Sequence, residues 1–395
     1  MSTTARTHGM DGTLVEPDWP PLTLAEVRML LGQFPSCGEP IRILSISPRP
    51  FSAASVIATR KKRVFVKRHH RSVRDREGLL EEHRFLEHLF IHGTHVPRVL
   101  ATTSGETAIE TGEWTYEVHE ASEGVDLYEE ALSWTPFRSM VHAHSAGQEL
   151  ARLHLGAEGF SAPRRKPRPL VASFTIFAAG NPSAELDHYL ATRPALAESA
   201  DARCGGEEAL EVLAPFHAEL LPLLPALKPL WTHNDLHASN LLWSDGSDNA
   251  QAKAIIDFGL ADCTNAVHDL AQAIERNIVE WLALVEYSTH PEEVPIHVDH
   301  MEAMLDGYES VRPLSAEEAA ALTPMTALCH AEFALTEADY FLGVLHSEEK
   351  ARVASIDYLV GHARWFRGLG GGKLLDALRR WAEKRGHQPQ RDAQR

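Results

Sequence analysis

The chain has 395 residues, of which 44% are hydrophobic and 24% charged, and a formal net charge of −17. That length supports two lobes or domains with a sizeable core, and the negative charge argues against a nucleic-acid backbone as partner. No apolar run spans a bilayer, and the first residues lack the hydrophobic stretch of a secretory signal. Cys37, Cys204, Cys263 and Cys329 are scattered without a C-x-x-C pair, which favours reduced thiols in a cytoplasmic protein over disulfides or a cysteine-bound zinc.

Residues 1–22 are polar, end in Pro17, Pro20 and Pro21, and read as a mobile tail. Thr23-Leu24-Ala25-Glu26 is a capping box that starts a helix. Ile41–Ile46, Ser55–Thr59 and Val64–Lys67 read as strands, with a polar turn at Arg60–Arg63. Glu77–Phe90 has helical spacing through Leu79, Leu80, Phe85, Leu86 and Leu89, and Val96-Pro97 closes it. Short strands follow around Ala108–Glu110 and Trp114–Val118.

From about Asp126 onward the pattern is mainly helical, with helices expected at Ser145–Leu155, Leu210–Leu227, His268–Tyr287 and Glu317–Leu345. Arg164–Gly206 mixes proline, glycine and basic residues and reads as an insertion or lid. Gly370-Gly371-Gly372-Lys373 reads as a flexible linker: Arg367 stands where a phosphate loop needs its first glycine. The pattern divides into a tail at 1–22, a small β-rich lobe at 23–120, a larger lobe at 121–372, and a C-terminal helix and tail at 373–395.

The chemistry concentrates in His233-Asn234-Asp235-Leu236-His237-Ala238-Ser239-Asn240, followed by Asp257-Phe258-Gly259. An H-x-D-x-x-x-x-N loop followed by D-F-G supplies what phosphoryl transfer asks of a protein. Asp235 accepts a hydrogen bond from the attacking hydroxyl, aims it and takes up its proton late. Asn240 and Asp257 are hard oxygen ligands suited to Mg²⁺ on nucleotide phosphates.

Several phrases carry a resemblance: Glu149-Leu150-Ala151-Arg152-Leu153-His154, the loop from His233 to Asn240, Ile255-Ile256-Asp257-Phe258-Gly259, and His268-Asp269-Leu270-Ala271. With them, residues from about 41 to 345 resemble the aminoglycoside phosphotransferase and choline kinase branch of the protein-kinase-like superfamily. Within that branch the text is most similar to homoserine-kinase-type enzymes and bacterial stress-response kinases. The resemblance implies an α+β, two-lobe fold and an ATP- and Mg²⁺-dependent transfer to a hydroxyl. It implies that Lys67 neutralises the nucleotide phosphates, held by Glu82 or its neighbour Glu81. His233 and Asp269 would support the catalytic loop, and backbone groups from His119 to Ala121 would bind adenine. Two features depart from the pattern. The loop Ser47–Ala53 contains no glycine, which leaves Ser52 and Ser55 as substitute donors, and Asn234 stands where the family usually has glycine.

Only twelve positions separate Asp257 from Asp269, and no A-P-E follows, so there is no room for a long peptide-docking loop. The expected acceptor is therefore a small molecule, such as an aminoglycoside or a homoserine-like amino alcohol. A serine/threonine protein kinase of the stress-response type and a nucleotide-binding pseudokinase are the alternatives. Glu275, Glu280, Glu286, Glu332 and Glu337 are candidates for an ammonium group, although most of them read as a solvated helix face. The twenty-three histidines include no H-E-x-x-H or H-x-x-E-H pattern and read as scattered surface and core residues.

Overall fold

A computed structural model describes residues 17–284 and 286–386. Helix α1 (Leu24–Leu31) starts at the expected capping box: Thr23 and Glu26 exchange side-chain-to-backbone hydrogen bonds. Five strands follow: β1 (Pro40–Ile46), β2 (Ala53–Thr59), β3 (Arg63–His70), β4 (Ala108–Thr111) and β5 (Trp114–Glu120), with α2 (Arg76–Ile91) between β3 and β4. They form one antiparallel sheet in the order β1-β2-β3-β5-β4. Alternation along the strands divides the sheet into two faces. Ile57, Val64, Val66, Tyr116 and Val118 pack with Leu30, Leu31 and Phe34 into an apolar layer under α1. The opposite face carries Lys67, His69, Glu117 and His119, with Lys67 directly across from Glu117. Ser55 pairs with Val66 and so belongs to the α1 face, away from Lys67.

The remainder is mainly helical. Helices α3 (Met140–Ala157), α4 (Pro182–Ala191), α5 (Pro194–Glu198) and α6 (Ala200–Leu220) precede four short strands. Strands β6 (Pro229–Thr232) and β9 (Asp262–Asn265) pair, and β7 (Leu241–Trp243) pairs with β8 (Ala252–Ile255). The H-x-D loop therefore joins β6 to β7, and Asp257-Phe258-Gly259 joins β8 to β9. Next come α7 (Ala266–Ile278), α8 (Val298–Glu309), α9 (Ala316–Leu328), α10 (His330–Gly343), α11 (Glu348–Arg352), α12 (Gly361–Arg367) and α13 (Leu369–Gly386). Helices α3 and α8 cross at reciprocal glycines. A Cβ on Gly147 would stand 2.0 Å from the Met304 oxygen, and one on Gly307 2.0 Å from the His144 oxygen. Among the described residues no helix is long and apolar enough to cross a membrane.

Several expectations need correcting. Arg164–Gly206 is not an irregular insertion: it contains α4, α5 and the start of α6, with Pro182 and Pro194 at first-turn positions that tolerate proline. The long helix expected at Glu317–Leu345 is two helices that part at Cys329, while α9 runs through Pro324. Helix α7 stops at Ile278 because Val279 turns extended and bridges Ile296. Gly370–Gly372 is the first turn of α13 rather than a linker. A Cβ at Gly371 would lie 2.3 Å from the Phe366 Cα, so glycine lets α12 and α13 approach. Residues 17–22 are packed rather than loose. Leu22 is buried, Trp19 stacks on His70 at 4.9 Å, and Asp18 accepts hydrogen bonds from Tyr340 (2.9 Å) and Lys350 (3.0 Å). Residues 1–16 of the expected tail and the polar end at 388–395 lie outside the described residues.

Candidate active site

Asp269, in the first turn of α7, holds the loop from His233 to Asn240. Its Oδ2 accepts from His233 N at 2.9 Å and its Oδ1 from Asn234 N at 2.7 Å. His154 Nε2 bonds the same carboxylate at 3.0 Å, and its other ring nitrogen bonds Tyr308 Oη at 2.7 Å. Burial would raise the Asp269 pKa, but the His154 hydrogen bond and the loop amide hold it below its ordinary range. His233 bonds the Ile256 carbonyl at 2.9 Å and receives Asp235 N at 3.2 Å, so its ring ties the loop to the strand before Asp257.

Asn234 adopts φ 59°, the left-handed region that glycine enters without cost. Its side chain offsets that strain. Oδ1 accepts from Thr232 Oγ1 (2.8 Å) and Thr264 Oγ1 (3.1 Å), and Nδ2 donates to the Ala172 carbonyl (3.2 Å). Asn234→Gly would relax the backbone but remove several buried hydrogen bonds at once, although Thr232 and Thr264 keep each other as partners, so we expect it to destabilise the fold by about 1–3 kcal/mol. Chemical denaturation checks this, and an unchanged midpoint would show the side chain to be dispensable.

Asp235 and Asn240 face each other: Asn240 Nδ2 donates to the Asp235 carbonyl at 2.9 Å and to Asp235 Oδ2 at 3.2 Å. That fixes the amide's orientation and leaves its oxygen as the donor atom available to a cation. Lys67 Nζ bonds Asp257 Oδ1 at 2.8 Å. Burial opposes the charge on both, but the mutual attraction wins: the Lys67 pKa is raised and the Asp257 carboxyl is held well below its ordinary range. Asp257 also sits at positive φ, 60°.

The expected bond from Lys67 to Glu82 or Glu81 is not formed. Arg165 draws both glutamates instead, with Nε 3.4 Å from Glu81 Oε2 and Nη2 3.9 Å from Glu82 Oε2. The residue facing Lys67 across the sheet is Glu117, whose buried carboxylate accepts from three histidines: His69 (2.9 Å), His83 (2.9 Å) and His119 (2.8 Å). His119 thus turns its ring to Glu117, and the Ala121 N–H bonds the Arg63 carbonyl at 3.3 Å.

Four arginines about this cleft escaped the sequence reading. Arg165 donates to the carbonyls of Gly78 (2.8 Å), Gly259 (3.1 Å) and Ala261 (3.1 Å), joining α2 to the strand end that bears Asp257. Arg74 donates to the carbonyls of Leu170 and Gly259; burial, with Arg165 alongside, lowers its pKa to about 9. Arg49, on the glycine-free loop between β1 and β2, reaches the carbonyls of Ala131 (3.0 Å) and Tyr128 (3.4 Å). There it feels the charges of Asp126, Asp257 and Asp235. Arg276, fully buried on α7, places Nη1 2.5 Å from Asp235 Oδ1 and its guanidinium 4.1 Å from the centre of the Phe333 ring. Burial raises the Asp235 pKa, and the Arg276 charge opposes that rise.

Three of the five glutamates proposed for an ammonium group are buried rather than solvated. Glu332 accepts from the Thr175 and Ile176 amides, and Glu275 bonds His362 Nδ1 at 3.0 Å. Glu337 lies beside Arg276; burial pushes its pKa up to about 8, with Arg276 opposing and Asp235 and Glu275 adding to the rise. Glu280 bonds His297 at 2.8 Å at the surface, and Glu286 is exposed.

A carboxyl that stays protonated in the fold while it ionises in the unfolded chain loses stability as pH rises between the two pKa values. The parent protein should therefore weaken relative to Glu337→Gln by up to about 3 kcal/mol between pH 5 and pH 8. Denaturation at both pH values checks this, and parallel behaviour of the two proteins would refute it.

The model of the phosphotransferase enzyme family matches residues 51–314. A microcompartment-associated aminopropanol kinase is similar in structure at 15% identity and TM-score 0.58, covering 91% of this chain and 100% of that one. An amicoumacin kinase, solved with AMP-PNP, Ca²⁺ and Ami, is similar at 14% identity and TM-score 0.52, covering 86% of this chain and 92% of that one. A comparison with curated protein sequences finds no match. The kinase-like arrangement of sheet, loop and helices and the family match agree: the chain belongs to the phosphotransferase enzyme family.

Proposed function

We propose that this phosphotransferase is a cytoplasmic enzyme that moves the γ-phosphoryl group of ATP to a hydroxyl of a small molecule, an amino alcohol or an aminoglycoside-like polyol. The observation that carries the reading is the convergence of the Asp235–Asn240 pair with the Lys67–Asp257 pair, held by Asp269 and by the two arginines that grip Gly259. Asp235 orients the acceptor hydroxyl and takes its proton as the P–O bond forms. Lys67 neutralises the phosphates, and Arg49 adds charge from the loop that lacks glycines. Backbone groups between His119 and Ala121 border the adenine site.

The Asn240 amide oxygen and the Asp257 carboxylate fit Mg²⁺: both are hard oxygens, and the Asn240 nitrogen is already committed to Asp235. When bound, Mg²⁺ spreads the charge developing on the phosphates. The acceptor reading has structural support in the segment after Asp257, which enters β9 at once and pairs with β6, leaving no long docking loop. The similar structures are an aminopropanol kinase and an amicoumacin kinase, both named for small molecules. ADP release with Mg-ATP and a panel of amino alcohols, aminoglycosides and a generic protein substrate tests the proposal. One stimulating small alcohol supports it, whereas phosphate entering only protein overturns it.

A further inference from the structure

We infer that His83, Glu117 and His119 form a transition-metal site of the zinc class, placed behind Lys67 and separate from the Mg²⁺ ligands Asn240 and Asp257. Glu117 and His119 are two apart on β5 and share one face of the strand, while His83 comes from α2 above it. Their donor atoms all lie within 4.8 Å of one another, and all three residues are buried. His83 Nε2 and His119 Nε2 stand 2.9 and 2.8 Å from the same carboxylate oxygen, Glu117 Oε2. In a tetrahedral zinc site with bonds near 2.0–2.1 Å, donor atoms stand about 3.3 Å apart. The two distances to Glu117 fall a few tenths of an ångström short of that spacing, and the two imidazole nitrogens lie within 4.8 Å of each other.

The surrounding groups are those a metal site uses. His83 Nδ1 bonds Thr107 Oγ1 at 2.9 Å, which fixes the ring so that Nε2 points inward. His69 Nε2 bonds the other carboxylate oxygen, Glu117 Oε1, at 2.9 Å and orients that ligand from β3. Two imidazoles and one carboxylate suit Zn²⁺ or Co²⁺ and do not suit Mg²⁺, which favours oxygen. Buried polar clusters contribute little net stability compared with apolar packing, so four such groups on one sheet face need another reason to be there.

Position supplies that reason. Lys67 bonds Asp257 rather than Glu81 or Glu82, so it does not itself tie α2 to the sheet. A metal held by His83 on one side and by Glu117 and His119 on the other would fasten α2 to β5 directly opposite Lys67.

The test is metal analysis of the full-length protein by plasma mass spectrometry, followed by titration of the chelator-treated protein with Co²⁺, read by its visible absorption. One equivalent of Zn²⁺-class metal per chain is expected, with the intense spectrum of a tetrahedral ion. His83→Asn and His119→Asn should each weaken Co²⁺ binding at least 100-fold, whereas Asp257→Asn should leave it unchanged. Chelation should lower the melting temperature of the parent and not of the two histidine variants. A parent protein that binds no Co²⁺ with that spectrum would overturn the inference, even if a variant fails to fold. Undiminished binding in both histidine variants would overturn it too. Phosphotransferase activity does not enter this readout, so the site stands or falls independently of the acceptor.

Discussion

Asp235→Asn is expected to lower the turnover of phosphoryl transfer by about 10²–10⁴-fold while nucleotide affinity stays within a few-fold of the parent. Asparagine preserves the shape and, with its oxygen toward Asn240, the contact that bonds the residue 235 side chain, while its amide nitrogen turns to Arg276, which loses its charged partner. What it removes is the oxygen that accepts the acceptor's proton and the negative charge that orients the hydroxyl. Lys67 and Asp257 are untouched, so the groups assigned to phosphates and cation are retained. Stopped assays of ADP release measure turnover, and the shift in melting temperature with Mg-nucleotide measures binding. Turnover within a few-fold of the parent would remove Asp235 from the mechanism.

The second large effect is expected at Arg276, a positioning residue. Its guanidinium is buried against Phe333 and meets Asp235 Oδ1 at 2.5 Å, while Nε and Nη2 have no hydrogen-bond partner among the described residues. Removing one member of a buried ion pair strands the other, so Arg276→Met should cost about 3–5 kcal/mol of stability. Asp235 would also lose the contact that turns Oδ2 toward Asn240, and turnover should fall about 100-fold with the nucleotide KM largely unchanged. Arg276→Lys should restore part of both losses, because it keeps the charge while losing the planar fork. The decisive measurement is the double variant with Asp235→Asn. If the two groups act as a pair, their destabilisations fall well short of additivity; simple addition would mean that Arg276 acts elsewhere.

The parts of the fold written in local patterns were readable beforehand. The capping box at Thr23, the strand ending near Lys67, the helix over Glu77–Phe90 and the loop from His233 to Asn240 all depend on neighbours close in the chain. The long helix expected at Glu317–Leu345 was misjudged for a different reason. Cys329 carries no glycine or proline to signal a break, and Pro324, which does, lies inside a helix held by tertiary packing. The partners of the candidate catalytic groups were hidden because they depend on which elements meet. An arginine on an amphipathic helix looks the same whether it is solvated or, like Arg276, sealed beneath a carboxylate. Glu117-Val118-His119 alternates as any strand does, and only the placement of α2 shows that His83 completes a cluster. Arg49 and Arg165 lie in loops, where spacing carries little information on direction.

The packed segment before α1 bears on how the cleft opens. Trp19 lies flat on His70 of β3 and edge-on to Trp114 of β5, while its neighbour Asp18 holds Tyr340 of α10 and Lys350 of α11. This short strap crosses from sheet to helices on a path separate from the chain crossover after β5. Swinging the sheet away must break the Asp18 contacts or peel Trp19 from its stack. The contacts of Asp18 and Trp19 therefore act as a latch between sheet and helices, and their loss would loosen the sheet's seat on the helical part.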